Sequence, residues 1–378
     1  MNKKLIALAI ASAISAPAMA ADNSVTIYGQ VTMSYDLVDT DSQAANADDK
    51  LNRVSSNNSR IGFKGAEDLG NGLSAIWQIE NQISMDGVSA ANGFTQSTGG
   101  SSFSNALRNT FVGLKSNNMG TLLLGIHDTP FKMATGKLDI FADTAGDFNN
   151  IIGNINGLNQ FDLRTNNTIL YMTPNLLGHS EPHTGSGLSL AAAYVAGQEN
   201  SNGANPDFKA MSVMAMYDVG PLFASLAYEK HDNYNALLTP NIVATAADRD
   251  AWKAGLGYKL GNTQFGVVYE NMDDDVANSA TSRDAWYASV AHNMGAITLK
   301  AAYGEADDGD SAADTAAKSY TLGADYAFSK RSKMFALYSK TKNESGAAYG
   351  VGAAGSSSYT PAIGEDPSVV SLGMRHVF

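Results

Sequence analysis

The 378-residue chain has no cysteine, so disulfide scaffolds and Cys-based metal sites are excluded. It holds no stretch of about 18 uninterrupted apolar residues, which excludes transmembrane helices. It is also short of basic charge: 25 Lys and Arg stand against 37 Asp and Glu, a net charge of −12. A nucleic-acid partner, which needs a concentrated basic surface, is therefore not expected. No glycine-rich phosphate loop, nucleophile elbow or zinc helix motif is found. Proline is scarce as well, at 9 residues. With 44% hydrophobic residues, 36 glycines and 16 tyrosines, the chain reads as neither disordered nor fibrous.

What is present begins with an export leader. Lys3 and Lys4 precede an apolar run from Leu5 to Ile14 and the small-residue site Ala18-Met19-Ala20, the three regions of a secretory signal. Residues 1–20 are expected to be removed, leaving 21–378 as the mature chain.

From Val25 the chain alternates. Val25, Ile27, Gly29, Val31, Met33 and Tyr35 share one face, and Thr26, Tyr28, Gln30, Thr32, Ser34 and Asp36 share the other. This is a strand with one apolar and one polar side. The pattern returns with Leu73, Ala75, Trp77 and Ile79 opposite Ser74, Gln78 and Glu80, and again with Tyr320, Leu322, Ala324 and Tyr326 backed by Thr321 and Asp325.

Sixteen strands are expected, near 25–36, 59–67, 73–83, 107–116, 120–126, 165–173, 187–197, 208–218, 221–231, 249–260, 262–272, 283–293, 296–304, 318–329, 332–341 and 367–378. The strand around Met211 to Met216 alternates least clearly. Short Gly/Asn/Pro turns take turns with long polar connections, the asymmetry of an outer-membrane barrel. Pro174 to Gly187 is longer than that rule wants, so the pairing there is less secure.

An open sheet of this size would leave unpaired edges in lipid, so closure is required. Tyr28, Tyr35, Trp77, Tyr228, Trp252, Tyr258, Tyr269 and Phe328 near strand ends suit interfacial girdles. A soluble β-sandwich is the rival reading. Its inner faces would have to bury Gln30, Lys64, Glu80, Lys253, Glu270, Lys300 and Asp325, which is costly. A wet lumen suits them better. The fold class is all-β, a transmembrane antiparallel barrel of sixteen strands.

The start TIYGQV, the hairpin SRIGFKGAEDLGNGLSAIWQIE, the stretch RNTFVGLKSNNMGTLLLG and the terminal SLGMRHVF together resemble the Gram-negative general-diffusion porins, especially the beta-proteobacterial branch. The resemblance spans the whole mature chain. It implies an outer-membrane homotrimer of sixteen-stranded barrels, a third outer loop folded into the pore, and a terminal aromatic, here Phe378, read by the assembly machinery. The candidate loop is His127 to Leu163, the longest connection in the chain, and such length within a compact fold is usually functional or disordered. Its Phe131, Met133, Leu138, Phe141, Phe148, Ile151 and Ile152 argue that it packs against something.

That segment carries Asp128, Asp139, Asp143, Asp147 and Asp162 against Lys132 and Lys137. On the expected lumen face stand Arg60, Lys64, Arg108 and Arg375, with Arg164 where the segment rejoins the wall. The resemblance implies loop acids opposite wall arginines, with Arg60, Arg108 and Arg164 matching the basic wall. A narrow aperture with low-dielectric walls focuses such a field. The alternative is solvated acids and arginines in local ion pairs. Ile126 and Gln30 stand where many or some relatives carry a basic residue, which leaves the sign of selectivity open.

Acids also cluster in outer connections, at Asp273 to Asp275 and at Glu305, Asp307, Asp308 and Asp310. They read as solvated charge or as divalent-ion bridges to lipopolysaccharide. His179 and His183 are four apart, but Pro182 between them argues against a helical metal pair.

The expected function is passive diffusion of ions and small hydrophilic solutes, without enzyme activity, cofactor or metal. A substrate-specific channel would want an aromatic slide, and lumen-facing Tyr28 and Tyr287 are too few for one. A surface adhesin on the same barrel stays open.

Overall fold

The structure, a computed structural model, describes residues 25–42, 49–86, 103–176, 187–197, 209–234, 237–239, 242–243, 247–274, 282–310, 314–353 and 358–378. The expected leader, residues 1–20, the histidines His179 and His183, and Asp275 lie outside the described residues.

Sixteen staves form one antiparallel sheet. In chain order they are Val25–Asp39 (β1), Lys50–Ser56 continued by Arg60–Gly70 (β2), Leu73–Ile83 (β3), Phe103–Leu107 continued by Thr110–Ser116 (β4), Gly120–Asp128 (β5), Arg164–Met172 (β6), Gly187–Val195 (β7) and Lys209–Val219 (β8). The second half comprises Leu222–Tyr234 (β9), Ala247–Leu260 (β10), Thr263–Asp274 (β11), Arg283–Met294 (β12), Ile297–Ala306 (β13), Ala317–Ala327 (β14), Ser332–Asn343 (β15) and Ser368–Val377 (β16). Each stave pairs with its neighbours in sequence, and β1 pairs with β16 from Gln30↔Val377 to Asp39↔Ser368. The sheet is closed. With no free edge, the ladders of the wall pair its backbone groups without help from water.

Two staves differ from the expected spans. β2 starts well before residue 59 and breaks at Asn57 to Ser59, where Asn58 has φ 52°. β1 spans the break, pairing Met33 with Ser56 and Gln30 with Arg60. β4 breaks likewise at Arg108 and Asn109, which frees both side chains for the polar contacts described below. The doubtful β6–β7 pairing is regular, from Thr168↔Val195 to Met172↔Ala191. Met211–Met216 also alternates: Met211 and Val213 are exposed, while Ser212, Met214 and Met216 are buried. Methionine and alanine on both faces obscured that period.

Outward positions carry exposed apolar residues such as Ile27, Leu256, Val267 and Leu322, and inward positions carry Thr32, Glu229, Lys253 and Glu270. A soluble protein does not expose so continuous an apolar surface, and the sandwich reading falls. Trp252 and Tyr269 meet at 5.1 Å, Trp286 and Tyr303 at 5.0 Å, and Tyr303 and Tyr320 at 5.1 Å, a belt near the long-connection end. Tyr28 does not belong to a girdle. It faces inward, and its hydroxyl donates to Glu80 Oε2 at 3.0 Å. At the opposite end the turns are tight. Gly261 adopts φ 56° with open space where a Cβ would stand, so backbone conformation is what requires glycine there.

Residues 129–163 turn inward from β5. A one-turn helix, Pro130–Met133, starts on Thr129, whose side chain accepts from Lys132 N. Single 3-10 turns follow at Gly136–Leu138 and Phe148–Asn150, then a minimal hairpin of Asn154–Ile155 and Leu158–Asn159. Phe131, Leu138, Phe141, Ile151, Ile152 and Phe161 are all buried, so the segment has its own apolar contact with the wall.

Candidate pore constriction

The in-turned segment docks on the inner face of β8 to β16, and small inward residues make room for it. Leu138 fills a dent above Gly255, Gly257 and Gly266; a Cβ at Gly257 would lie 2.9 Å from Leu138 Cδ2. Phe141 lies over Gly323, and Ile151 over Gly304.

Polar wall groups complete the docking. Ser289 Oγ donates to Leu138 O at 3.1 Å, Lys300 Nζ to Ile140 O at 3.2 Å, and Gly153 N to Glu270 Oε1 at 2.9 Å. Arg283 donates to Ile151 O at 2.8 Å, and Lys253 is buried against Asp162. His231 stacks on Phe161 at 4.6 Å and meets Glu229 at 2.8 Å. Buried charges of this kind require partners, and the segment supplies several of them.

Its other face looks toward β2 to β6 across a polar opening of about 240 Å³, lined by Arg108, Asp128, Lys132, Asp139, Asp143, Asp147 and Arg164 among others. Three charge groups meet there. Asp143 lies 3.3 Å from Arg60 and 3.7 Å from Arg375, and Gln30 Nε2 donates to it at 3.0 Å. Arg375 also donates to Ala142 O at 2.6 Å. Asp128 pairs with Arg164 at 2.9 Å and more loosely with Lys132 at 3.9 Å. Arg108 pairs with Glu80 at 2.7 Å.

Asp139 and Asp147 are engaged by backbone donors instead. Asp139 accepts from Phe141 N at 2.9 Å, and Asp147 from Asn149 N at 3.0 Å and Asp143 N at 3.2 Å.

Two of the residues expected at the site stand elsewhere. Lys64 is exposed, with its ammonium 5.1 Å from the centre of the Tyr28 ring, and does not line the opening. Lys137 pairs with Asp218 of β8. Other participants were not foreseen as site residues: Glu80 and Asn109. Asn109 accepts from Arg164 Nε at 2.8 Å and donates to Asp128 at 3.1 Å. An acid facing the lumen at Glu80 was a visible signal; Asn109 gave none, because its placement depends on the break in β4.

The outer acids turn largely into local structure. Asp308 accepts from Thr315 N and Ala316 N, Asp273 from Ser282 Oγ, and Glu305 pairs with Lys318. Among the described residues no group of three or more His, Asp or Glu could hold a metal ion.

A closed sixteen-stranded barrel, apolar outside and polar within, has the architecture of a diffusion channel of an outer membrane. A model of the Gram-negative porin family matches residues 7–346, and the chain belongs to that family. It is 29% identical over 381 residues to outer membrane porin protein 32 of Delftia acidovorans, covering all of both chains. It is 26% identical over 306 residues to an outer membrane porin protein of Bordetella pertussis, covering 70% of this chain and 74% of the relative. The solved anion-selective porin from Comamonas acidovorans shares the fold, with TM-score 0.75 and 24% identity over 94% of this chain and all of that one. The protein is an outer-membrane porin, a channel for passive diffusion and not an enzyme.

Proposed function

We propose that the opening between the in-turned segment and β2 to β6 is the constriction, and that its charges favour anions weakly near neutral pH. The pairing pattern carries this reading. Two guanidiniums, Arg60 and Arg375, share the single carboxylate of Asp143, and Arg164 with Lys132 share Asp128. Each group keeps one net positive charge, while Arg108 and Glu80 cancel. Asp139 and Asp147 oppose them, but burial favours their neutral forms. Field focusing in the narrowest section outweighs the more distant acids of the mouth. A relative named as anion-selective supports the same sign.

Solutes then pass down their gradients, sorted by size and by this field. Residues 1–20 are removed as a leader. The functional unit is a homotrimer, as the resemblance implies, and lipopolysaccharide lies against the outer aromatic belt.

Arg164→Glu tests the charge reading. The reversal potential in a salt gradient is expected to move from the anion side to the cation side. A folded variant with an unchanged reversal potential contradicts it.

A further inference from the structure

The last outer connection, between β15 and β16, folds into the barrel in its described part. Tyr349, Val351 and Ala353 are buried. Thr341 Oγ1 donates to Gly350 O at 2.9 Å, and Asn343 Nδ2 donates to Tyr349 O at 2.9 Å. Val351 and Tyr359 exchange both backbone hydrogen bonds, at 3.1 and 2.7 Å. The wall and its own backbone thus hold the connection in place.

Folded this way, it lies on the constriction segment. Gly352 N donates to Ala145 O at 3.2 Å, and Ala348 N donates to Asn156 Oδ1. Val351 shares an apolar cluster with Phe141 and Ala145 of the segment and with Val38, Phe335 and Val369 of the wall. Tyr349 belongs to the same cluster as Ile151, Ile152 and Ile155, and the Arg283 guanidinium sits 6.0 Å from its ring centre. At Gly157, φ +87°, a Cβ would lie 2.8 Å from Ala348 O. The two backbones come together where only glycine fits.

We infer that this last connection is a strap: it clamps the constriction segment against the wall and so fixes the bore of the channel. The inference rests on the reading of the polar opening as the constriction. The wall engages the segment on one face. The strap adds apolar cover beside that dock, grouping Val351 with Phe141 and Ala145, and Tyr349 with Ile151 and Ile152. Removing that cover lowers the cost of local opening. The tip is then free to swing, and the aperture no longer has one width. Tyr349 and Val351 act through the segment and need touch no solute, so they are positioning residues.

The test uses the full-length porin in liposomes and planar bilayers. Tyr349→Ala combined with Val351→Ser is expected to admit larger sugars in swelling assays and to make the open-channel current noisier. Its reversal potential keeps its sign, because the charges are untouched. A folded barrel with the parent size limit and parent noise overturns the inference.

Should that variant fail to form a heat-modifiable barrel, the cysteine-free chain permits a second route with Ala145→Cys and Val351→Cys. Fast cross-linking on oxidation, with conductance unchanged and noise lowered, is the expected result. No cross-link, or a cross-link that alters conductance, overturns the strap. The reading beneath it fails differently: there Arg164→Glu leaves selectivity unmoved while the strap variants still widen the pore.

Discussion

At the residue scale, the carboxyl groups of the in-turned segment divide by their neighbours. Burial raises Asp139 well above the usual carboxylate range, and the nearby Asp147 charge adds to it. Burial likewise pushes Asp147 up to about 7, with the Asp143 charge outweighing part of what its backbone donors offer. Asp143 is half-buried, which also disfavours its charge, yet the guanidiniums of Arg60 and Arg375 hold its carboxyl below the usual range. A carboxyl raised in this way is neutral below its pKa and negative above it. Raising the pH from about 6 to about 8 therefore adds negative charge to the in-turned segment. The reversal potential in a salt gradient is expected to drift toward cations over that interval, and Asp139→Asn with Asp147→Asn to flatten the drift. An equally steep drift in the double variant would assign the titration elsewhere.

At the element scale, the proposed constriction is a docked segment, and its hold on the wall can be measured. Lys253 and Asp162 are both buried, and the Lys253 ammonium lies 4.2 Å from the Phe131 ring centre. Asp162→Asn keeps a residue that tolerates the positive φ of 58° there but removes the carboxylate paired with Lys253, leaving only its cross-strand neighbour Glu270. Breaking a buried pair from one side costs about 3–5 kcal/mol. Denaturant unfolding of the refolded variant is expected to show a loss of that order, and a loss below about 1 kcal/mol would mean that Glu270 or water takes over the charge of the lysine.

The strands were legible because a period of two is local: Val25 to Asp36 declares both of its faces without reference to any partner. The apolar content of the segment was legible too, in Phe131, Phe141 and Ile151. Its dock was not. The dent under Leu138 needs Gly255, Gly257 and Gly266 from two strands, and only the register brings them together. The same limit applies along a strand, where charge and face leave depth undefined. Lys64 shares the inner face of β2 with Arg60 yet stands clear of the opening. The break that aims Arg108 and Asn109 gave no periodic signal. The inward strap of Tyr349 and Val351 was invisible for a similar reason, since an outer connection rich in Gly, Ala and Ser reads as solvated loop.

At the scale of the whole molecule, closure depends on one seam. β1 and β16 pair over ten positions, and Gly29 and Phe378 add two reciprocal backbone hydrogen bonds at 3.0 Å. The Phe378 ring also lies where a Cβ on Gly29 would stand, 2.5 Å from Cζ, so the last residue is fitted to the first strand. Deleting Phe378 is expected to lower the yield of heat-modifiable barrel on refolding into detergent, because the seam loses its end contacts. Equal yield and equal melting would show that the ladder alone suffices.

That closed wall surrounds a water-filled passage, and the constriction proposed within it is charged by named pairs. Single-channel recording of the purified protein in a planar bilayer under a salt gradient tests this most directly. Stepwise, long-lived openings with a reversal potential displaced modestly to the anion side are the predicted result. A protein that inserts as a folded barrel and passes no ions would contradict it.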